Sequence, residues 1–260
     1  MTAKRALVTG GAQRLGRAMA LALAEDGYDV AVHYHGSADA AAEVVTEFEA
    51  LSRQSVAVQA DLLDHDATLG LVPAAAEGLD GPLTLLINNA SIFEYDRIDT
   101  ATLEGWDRHV NSNLRAAFFL TQAFADQAPK AAMDAAGEPL AHAMILNMVD
   151  QRVRSLTPEF ATYTIAKMGL WALTQTAAQG LAPDVRVNAI GPGPTMQGVR
   201  QSAEHFAMQR AATILERGAG PKDIVAAMRY FLAAEAVTGQ LLCIDGGQHL
   251  AWKTPDVLGV

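Results

Sequence analysis

Short apolar runs alternate with stretches of helical periodicity along nearly the whole chain. That alternation restricts the fold more than any other feature. Residues 5–9, 30–34, 55–59, 83–87, 143–148, 185–190 and 241–244 read as strands. Residues 15–24, 38–51, 67–77, 103–127, 160–180 and 221–232 read as helices between or after them. No Pro/Gly/Ser-rich linker interrupts the series. The pattern specifies an α/β fold: one doubly wound, mostly parallel sheet flanked by helices, in a single domain spanning residues 1–260. Right-handed crossovers then carry every strand's C-terminal end to one edge, where open sheets of this kind bind ligands.

Composition narrows the function classes. Half of the 260 residues are hydrophobic, enough for a sizeable core, and only 18% are charged. The formal net charge is −10 with no basic stripe, which argues against nucleic acid as a partner. No apolar run reaches ~18 residues, so no membrane span is expected. Cys243 is the single cysteine, which excludes an internal disulfide and reads as a small buried residue. No metal is expected. The chain reads as a cytoplasmic protein acting on a small molecule.

The polar residues gather at the strand ends. Thr9-Gly10-x-x-x-Arg14-Leu15-Gly16 lies between the first strand and its helix. Gly10 permits the sharp turn, Gly16 permits close packing, and the helix N-terminus offers amides to a pyrophosphate. A tight βα turn without a ligand has the same composition. A nicotinamide dinucleotide lacking the ribose phosphate is usually met by an acid after the second strand. Here that stretch is His33-Tyr34-His35-Gly36-Ser37, with no acid. His35, Ser37 and the nearby Arg14 suit a ribose phosphate, so NADP(H) is the expected cofactor. Asp61 and Leu62 are placed to meet the adenine, and Asn89 and Ala90 to run along the ribose.

Tyr163 and Lys167 stand four residues apart in a helical stretch and so share one face. A free phenol titrates near ~10, and a neighbouring ammonium favours the phenolate. The pair therefore suits proton donation from Tyr163, although Tyr/Lys pairs are also common on surfaces. Asn113, Asp150, Pro192 and Gly193 fall at the same end of the sheet.

The ordered set resembles the short-chain dehydrogenase/reductase family from Thr9 to Gly247. It comprises the glycine turn, Asn88-Asn89-Ala90, Asn113, Tyr163-x-x-x-Lys167, Pro192-Gly193 and Asp245-Gly246-Gly247. The resemblance implies a Rossmann-type sheet, a nicotinamide cofactor, a catalytic tetrad and a homotetramer built on the two long helices. Two positions depart from the common pattern. Asp150 occupies the slot of the family's serine, and Arg14 that of a turn glycine. Both departures, together with Ser91-Ile92-Phe93, resemble the pteridine reductase branch, including dihydromonapterin reductases. That resemblance implies Asn113, Asp150, Tyr163 and Lys167 as catalytic residues. It implies Arg14, Ser91, Phe93, Asp150 and Tyr163 around a pterin. The branch often has arginine where this chain has Gly36.

Residues 194–218, which hold Thr195, Met196, His205, Phe206 and Met208, are expected to form a lid over the substrate, with the Thr195 backbone touching the cofactor; His205 is given no catalytic role. The tail, 248–260, with Trp252, Val257, Leu258 and Val260, is expected to dock on a subunit interface or a neighbour's pocket. Two other functions stay open at this point. One is a carbonyl reductase for a 3-oxoacyl, sugar or steroid substrate. The other is a non-catalytic NADP(H)-binding regulator.

Overall fold

A computed structural model describes residues 3–198 and 201–252. Seven parallel strands form one sheet in the order β3-β2-β1-β4-β7-β8-β9. In chain order these are β1 (Arg5–Val8), β2 (Asp29–Tyr34), β3 (Ser55–Gln59), β4 (Leu85–Asn88), β7 (Ala143–Met148), β8 (Val185–Pro192) and β9 (Leu241–Ile244). The helices are α1 (Arg14–Glu25), α2 (Ala38–Ala50), α3 (His65–Gly78), α4 (Leu103–Val110), α5 (Ala116–Gln127), α6 (Ala161–Gly180), α7 (Ala203–Ala211) and α8 (Pro221–Ala233). The strand order reverses between β1 and β4, whose register pairs Val8 with Ile87. The crevice at such a switch point is where the Gly10–Gly16 turn sits.

The central strands are buried on both faces, which is why they read as continuous apolar runs. On one face Met19 and Leu23 of α1, Val44 and Phe48 of α2, and Met228 and Phe231 of α8 close over the sheet. On the other, Leu71 of α3, Leu120 and Phe124 of α5 and Ala178 of α6 do so. Helix starts are set by local chemistry. Asp64 accepts from the amides of Asp66 and Ala67 to cap α3, and Thr102 accepts from Gly105 to cap α4. Pro221 opens α8, while the Asp223 carboxylate reaches back to the Gly220 amide at 2.7 Å.

Four features differ from the sequence reading. The stretch 103–127 is one helical rod, but Asn111–Arg115 forms a π-helical turn between α4 and α5. The strand expected at 185–190 runs on through Gly191 and Pro192, because Pro192 pairs with Ile244 of β9. The strand expected at 83–87 begins at Leu85, since the Leu83 amide is bonded instead to the Gln127 side chain at 2.6 Å. A small antiparallel hairpin, β5 (Ala132–Met133) with β6 (Pro139–Leu140), was not anticipated.

The expected lid contains α7, and its two ends meet. Arg210 donates to Pro194 O and to Gly218 O, both at 2.8 Å. A Cβ on Gly218 would lie 2.6 Å from Pro194 O. Of the tail, Gln248–Leu250 form a short 3-10 turn and Trp252 is exposed. Val257, Leu258 and Val260 lie outside the described residues. Among the described residues no helix is long and apolar enough to cross a membrane.

Candidate active site

The turn after β1 is built around Thr9. Its hydroxyl donates to Ile87 O at 3.2 Å and accepts the amides of Asn89 and Ala90 at 2.8 and 3.0 Å. Asn89 Nδ2 donates to Thr9 O at 2.8 Å, locking the end of β4 to the turn. Gly10 takes φ +61, and its amide donates to His33 Nδ1 at 3.0 Å. His33 Nδ1 therefore accepts, and Nε2 carries the proton toward Ala60 O at 3.1 Å. Burial lowers the His33 pKa, which keeps that neutral form. His33 is thus a buried brace of the turn rather than a surface histidine.

Gly16 shows why this turn needs its glycines. A Cβ there would stand 2.1 Å from Gly10 O and 2.6 Å from Asn89 Nδ2. Gly16→Ala is expected to destabilise the fold by ~1–3 kcal/mol through overpacking and to weaken NADPH binding at least ~10-fold. Thermal unfolding and a fluorescence titration read the two effects. Unchanged affinity would show that the turn does not cradle the cofactor. Gln13 gives α1 no side-chain cap, so the first-turn amides and the positive dipole end are left for an anion. Leu15 is part of this first turn. These features fit a dinucleotide pyrophosphate.

Arg14 adopts φ +52, a conformation that costs a non-glycine residue ~1 kcal/mol. Its guanidinium donates to Gln197 O at 3.0 Å and Met196 O at 3.3 Å, joining the turn to the lid. Beyond β2, His35 is exposed, with Nε2 3.7 Å from Asp61 Oδ2. Ser37 sits at the N-cap of α2 without using its hydroxyl as a cap. A Cβ on Gly36 would meet nothing within 4 Å, so the loop leaves open space there. Asp61 Oδ1 accepts from the Leu63 amide at 2.9 Å, and Leu62 is buried.

At the opposite end of the crevice, Tyr163 in the first turn of α6 donates to Asp150 Oδ2 at 2.9 Å. The other carboxylate oxygen, Oδ1, accepts from the Arg152 amide at 2.8 Å. Asp150 therefore caps the short helix Gln151–Arg154 and touches the phenol at once. Lys167 Nζ donates to Met148 O at 2.7 Å and lies 5.6 Å from the centre of the Tyr163 ring. Asn113, in the π turn, holds Ile92 by both amide atoms, each at 2.9 Å. Extra-residue turns of this kind re-aim side chains and recur at functional sites. Ile92 in turn precedes Phe93, whose ring lies edge-on to Tyr163 at 4.7 Å. Ser91 acts on the Tyr163 phenol as a small lowering influence on its pKa, outweighed by burial.

The electrostatics correct one expectation. The Tyr163 phenol is not poised as a phenolate. Burial first, and then the Asp150 carboxylate, hold its pKa well above the ordinary value. Burial likewise raises Asp150 and brings Lys167 down to about 8. The shifts of Tyr163 and Asp150 both favour their protonated forms.

The turn after β8 is equally tight. The Gly193 amide donates to Ile244 O at 3.0 Å, and a Cβ there would lie 2.5 Å from the Asp245 Cβ. Thr195 is buried, and its hydroxyl donates to Gly193 O at 2.9 Å, fixing the chain after Pro192. Cys243 in β9 has its thiol pushed up to about 11 by burial, which leaves it unreactive at neutral pH.

Residues 4–207 match the short chain dehydrogenase family. The chain belongs to that family. It is 31% identical over 252 residues to the 3-oxoacyl-[acyl-carrier-protein] reductase FabG of Staphylococcus epidermidis, covering 95% of this chain and 99% of the relative. Among solved structures, FolM alternative dihydrofolate reductase 1 from Brucella suis, in complex with NADP, is 38% identical with a TM-score of 0.90. The match covers 98% of both chains. A short chain dehydrogenase from Burkholderia cenocepacia, also with NADP, is 33% identical with a TM-score of 0.84, covering 94% and 97% of the two chains.

Within this short chain dehydrogenase several site residues went unread in the sequence. Phe160 takes φ +57 and stacks on Phe93 at 4.3 Å, nearly parallel. Arg152 lies over the other end of that stack, 4.8 Å from the Phe160 ring. His109 approaches the Tyr163 ring edge at 6.0 Å. An aromatic residue just ahead of the Tyr163 helix was the available signal for Phe160. His33 and His109 gave none, because histidine is as common on helix and strand surfaces as in cores.

Proposed function

We propose that this protein reduces a dihydropterin of the 7,8-dihydromonapterin or 7,8-dihydrobiopterin type to the tetrahydropterin. The observation that carries the reading is the Tyr163–Asp150 hydrogen bond at 2.9 Å. A ketone is served by a neutral hydroxyl at that position. A carboxyl whose pKa burial raises can take up a proton beside the phenol, which suits a ring C=N bond, whose nitrogen must be protonated. The 38% identity to a FolM alternative dihydrofolate reductase supports the same direction.

The cofactor is NADP(H), as in the Brucella suis and Burkholderia cenocepacia structures. Gly10, Leu15 and Gly16 would hold its pyrophosphate, with Arg14, His35 and Ser37 on the ribose phosphate side. Asp61, Leu62, Asn89 and Ala90 would follow the adenosine, and Lys167, Pro192, Gly193 and Thr195 the nicotinamide half. When bound, it supplies the hydride for the ring carbon. Tyr163 gives its proton to the adjacent ring nitrogen. Asp150, 2.9 Å away, returns a proton to the phenol oxygen and is refilled from solvent. Lys167 and Asn113 fix the geometry through Met148 and Ile92. Phe93 offers a face for a flat ring, Ser91 a hydroxyl beside the donor, and Arg14 a link between cofactor turn and lid.

The same reading includes a cytoplasmic homotetramer. Phe118 on α5 and Ile165 and Met168 on α6 present exposed apolar side chains on the two long helices. A light-scattering mass other than four chains would remove that part.

A carbonyl reductase is the second reading, favoured by the 31% identity to the acyl-carrier-protein reductase. NADPH oxidation assayed with both dihydropterins beside a 3-oxoacyl thioester panel separates the two. Turnover of a dihydropterin is expected; turnover confined to the thioesters would replace the proposal.

A further inference from the structure

Helix α6 carries both Tyr163 and Lys167, yet it opens without a cap of its own. Its N-cap residue is Phe160, which is left-handed and contributes no side-chain bond. Asp96, on the segment between β4 and α4, supplies the missing contacts from 66 residues away. Its backbone carbonyl accepts the Phe160 amide at 2.8 Å. Its carboxylate accepts the Thr162 amide at 3.2 Å and the Thr162 hydroxyl as well. Thr162 Oγ1 lies 2.7 Å from His109 Nδ1, and the Glu94 amide donates to His109 Nε2 at 3.1 Å. Asp96, Thr162 and His109 are all buried.

The donors allow one arrangement. An amide N–H only donates, so Nε2 of His109 is bare and the proton sits on Nδ1. That N–H donates to the Thr162 oxygen, whose own hydrogen goes to the acceptor-only carboxylate of Asp96. The chain grips Glu94, beside Phe93, at one end and Thr162, beside Tyr163, at the other. The His109 ring also meets the Tyr163 ring edge at 6.0 Å.

We propose that Asp96, Thr162 and His109 form a positioning network that holds the Tyr163 hydroxyl and the Phe93 ring in reacting geometry, and so sets kcat. The proposal rests on Tyr163 being the proton donor, but not on the substrate being a pterin. Loss of a helix cap lets a first turn populate other geometries. A displacement of about 1 Å at a reacting group can cost ~10²-fold in rate.

The test compares Thr162→Val, nearly isosteric but without the hydroxyl, with Thr162→Ser in the full NADPH-bound protein. The valine variant is expected to lose ~10-fold or more in kcat, with KM and NADPH affinity within about twofold. The serine variant is expected to recover most of that rate. In a Tyr163→Phe background Thr162→Val should add no further loss, because its effect acts through the phenol. Nitrogen-15 NMR of the histidines reads the network without any substrate. His109 should be the Nδ1–H tautomer in the wild type and lose that preference in the valine variant. If Thr162→Val does not fold, His109→Phe keeps the ring and removes both nitrogens, and the same kcat loss is expected. A folded Thr162→Val or His109→Phe protein with wild-type kcat, or an Nε2–H tautomer of His109 in the wild type, overturns the proposal. A dihydropterin assay that fails while the NMR result holds removes the substrate reading alone.

Discussion

Tyr163→Phe is expected to lower turnover by ~10²–10⁴-fold, the range for loss of a general acid, while NADPH affinity stays within about threefold. The substitution removes one oxygen and leaves the ring. Phe93 still meets that ring at 4.7 Å, Lys167 at 5.6 Å and His109 at 6.0 Å, so the pocket wall is kept. The hydroxyl's direct partner is Asp150 Oδ2, which then lacks its donor in a buried place. An orphaned buried acceptor costs ~1–3 kcal/mol, so a melting temperature lower by a few degrees is expected too. Steady-state kinetics beside a fluorescence titration separates the two effects. A fall in kcat with unchanged affinity places the loss in the chemical step. Retention of more than about a tenth of wild-type turnover would assign the proton to another group, and Asp150 would be the first to examine.

The fold was legible because a parallel sheet buries its strands on both faces. Leu85–Asn88 and Ala143–Met148 are buried throughout, so no alternation blurs them. The hairpin at Ala132–Met133 was not legible for the converse reason: both residues are exposed and no core face selects them. The π turn was hidden as well. Asn111-Ser112-Asn113-Leu114-Arg115 is compatible with an α-helix, and a feature written only in three dimensions marks it out: the grip of Asn113 on Ile92, 21 residues away. The same rule divides the site. Tyr163 and Lys167 share a helix and announce themselves by spacing, and Asp150 is found by counting back from Tyr163. His33, Asp96 and His109 act on partners 15 to 66 residues distant, where spacing carries no signal. The sign of the Tyr163 shift was also beyond the sequence. A lysine four residues on argues for a lower pKa, but burial and the facing carboxylate argue for a higher one, and burial dominates in the folded chain.

Asp150→Ser puts that electrostatic reading to its hardest test, because it restores the family's more common residue. The variant is expected to lose ~10–10²-fold in dihydropterin reduction while carbonyl reduction holds or rises. A serine hydroxyl can still bond the Tyr163 oxygen, but it has no acidic proton to return after Tyr163 has donated. The pH dependence follows from the directions of the shifts. Burial raises the folded-state pKa of Asp150 above its unfolded value, so the folded protein holds that proton more tightly. Its stability contribution is therefore fully present below the unfolded pKa and is lost as pH rises through the folded one. The reductive kcat should fall across the same window, since the relay needs the protonated acid. In Asp150→Ser both that limb of the rate profile and that part of the stability change should vanish. The Tyr163 pKa should also come down, because the carboxylate is the largest cause after burial holding it up. A pH–rate profile and pH-dependent melting of the two proteins measure this directly. Superimposable profiles would mean that Asp150 serves only to cap Gln151–Arg154, and the preference for a ring C=N substrate would lose its physical basis.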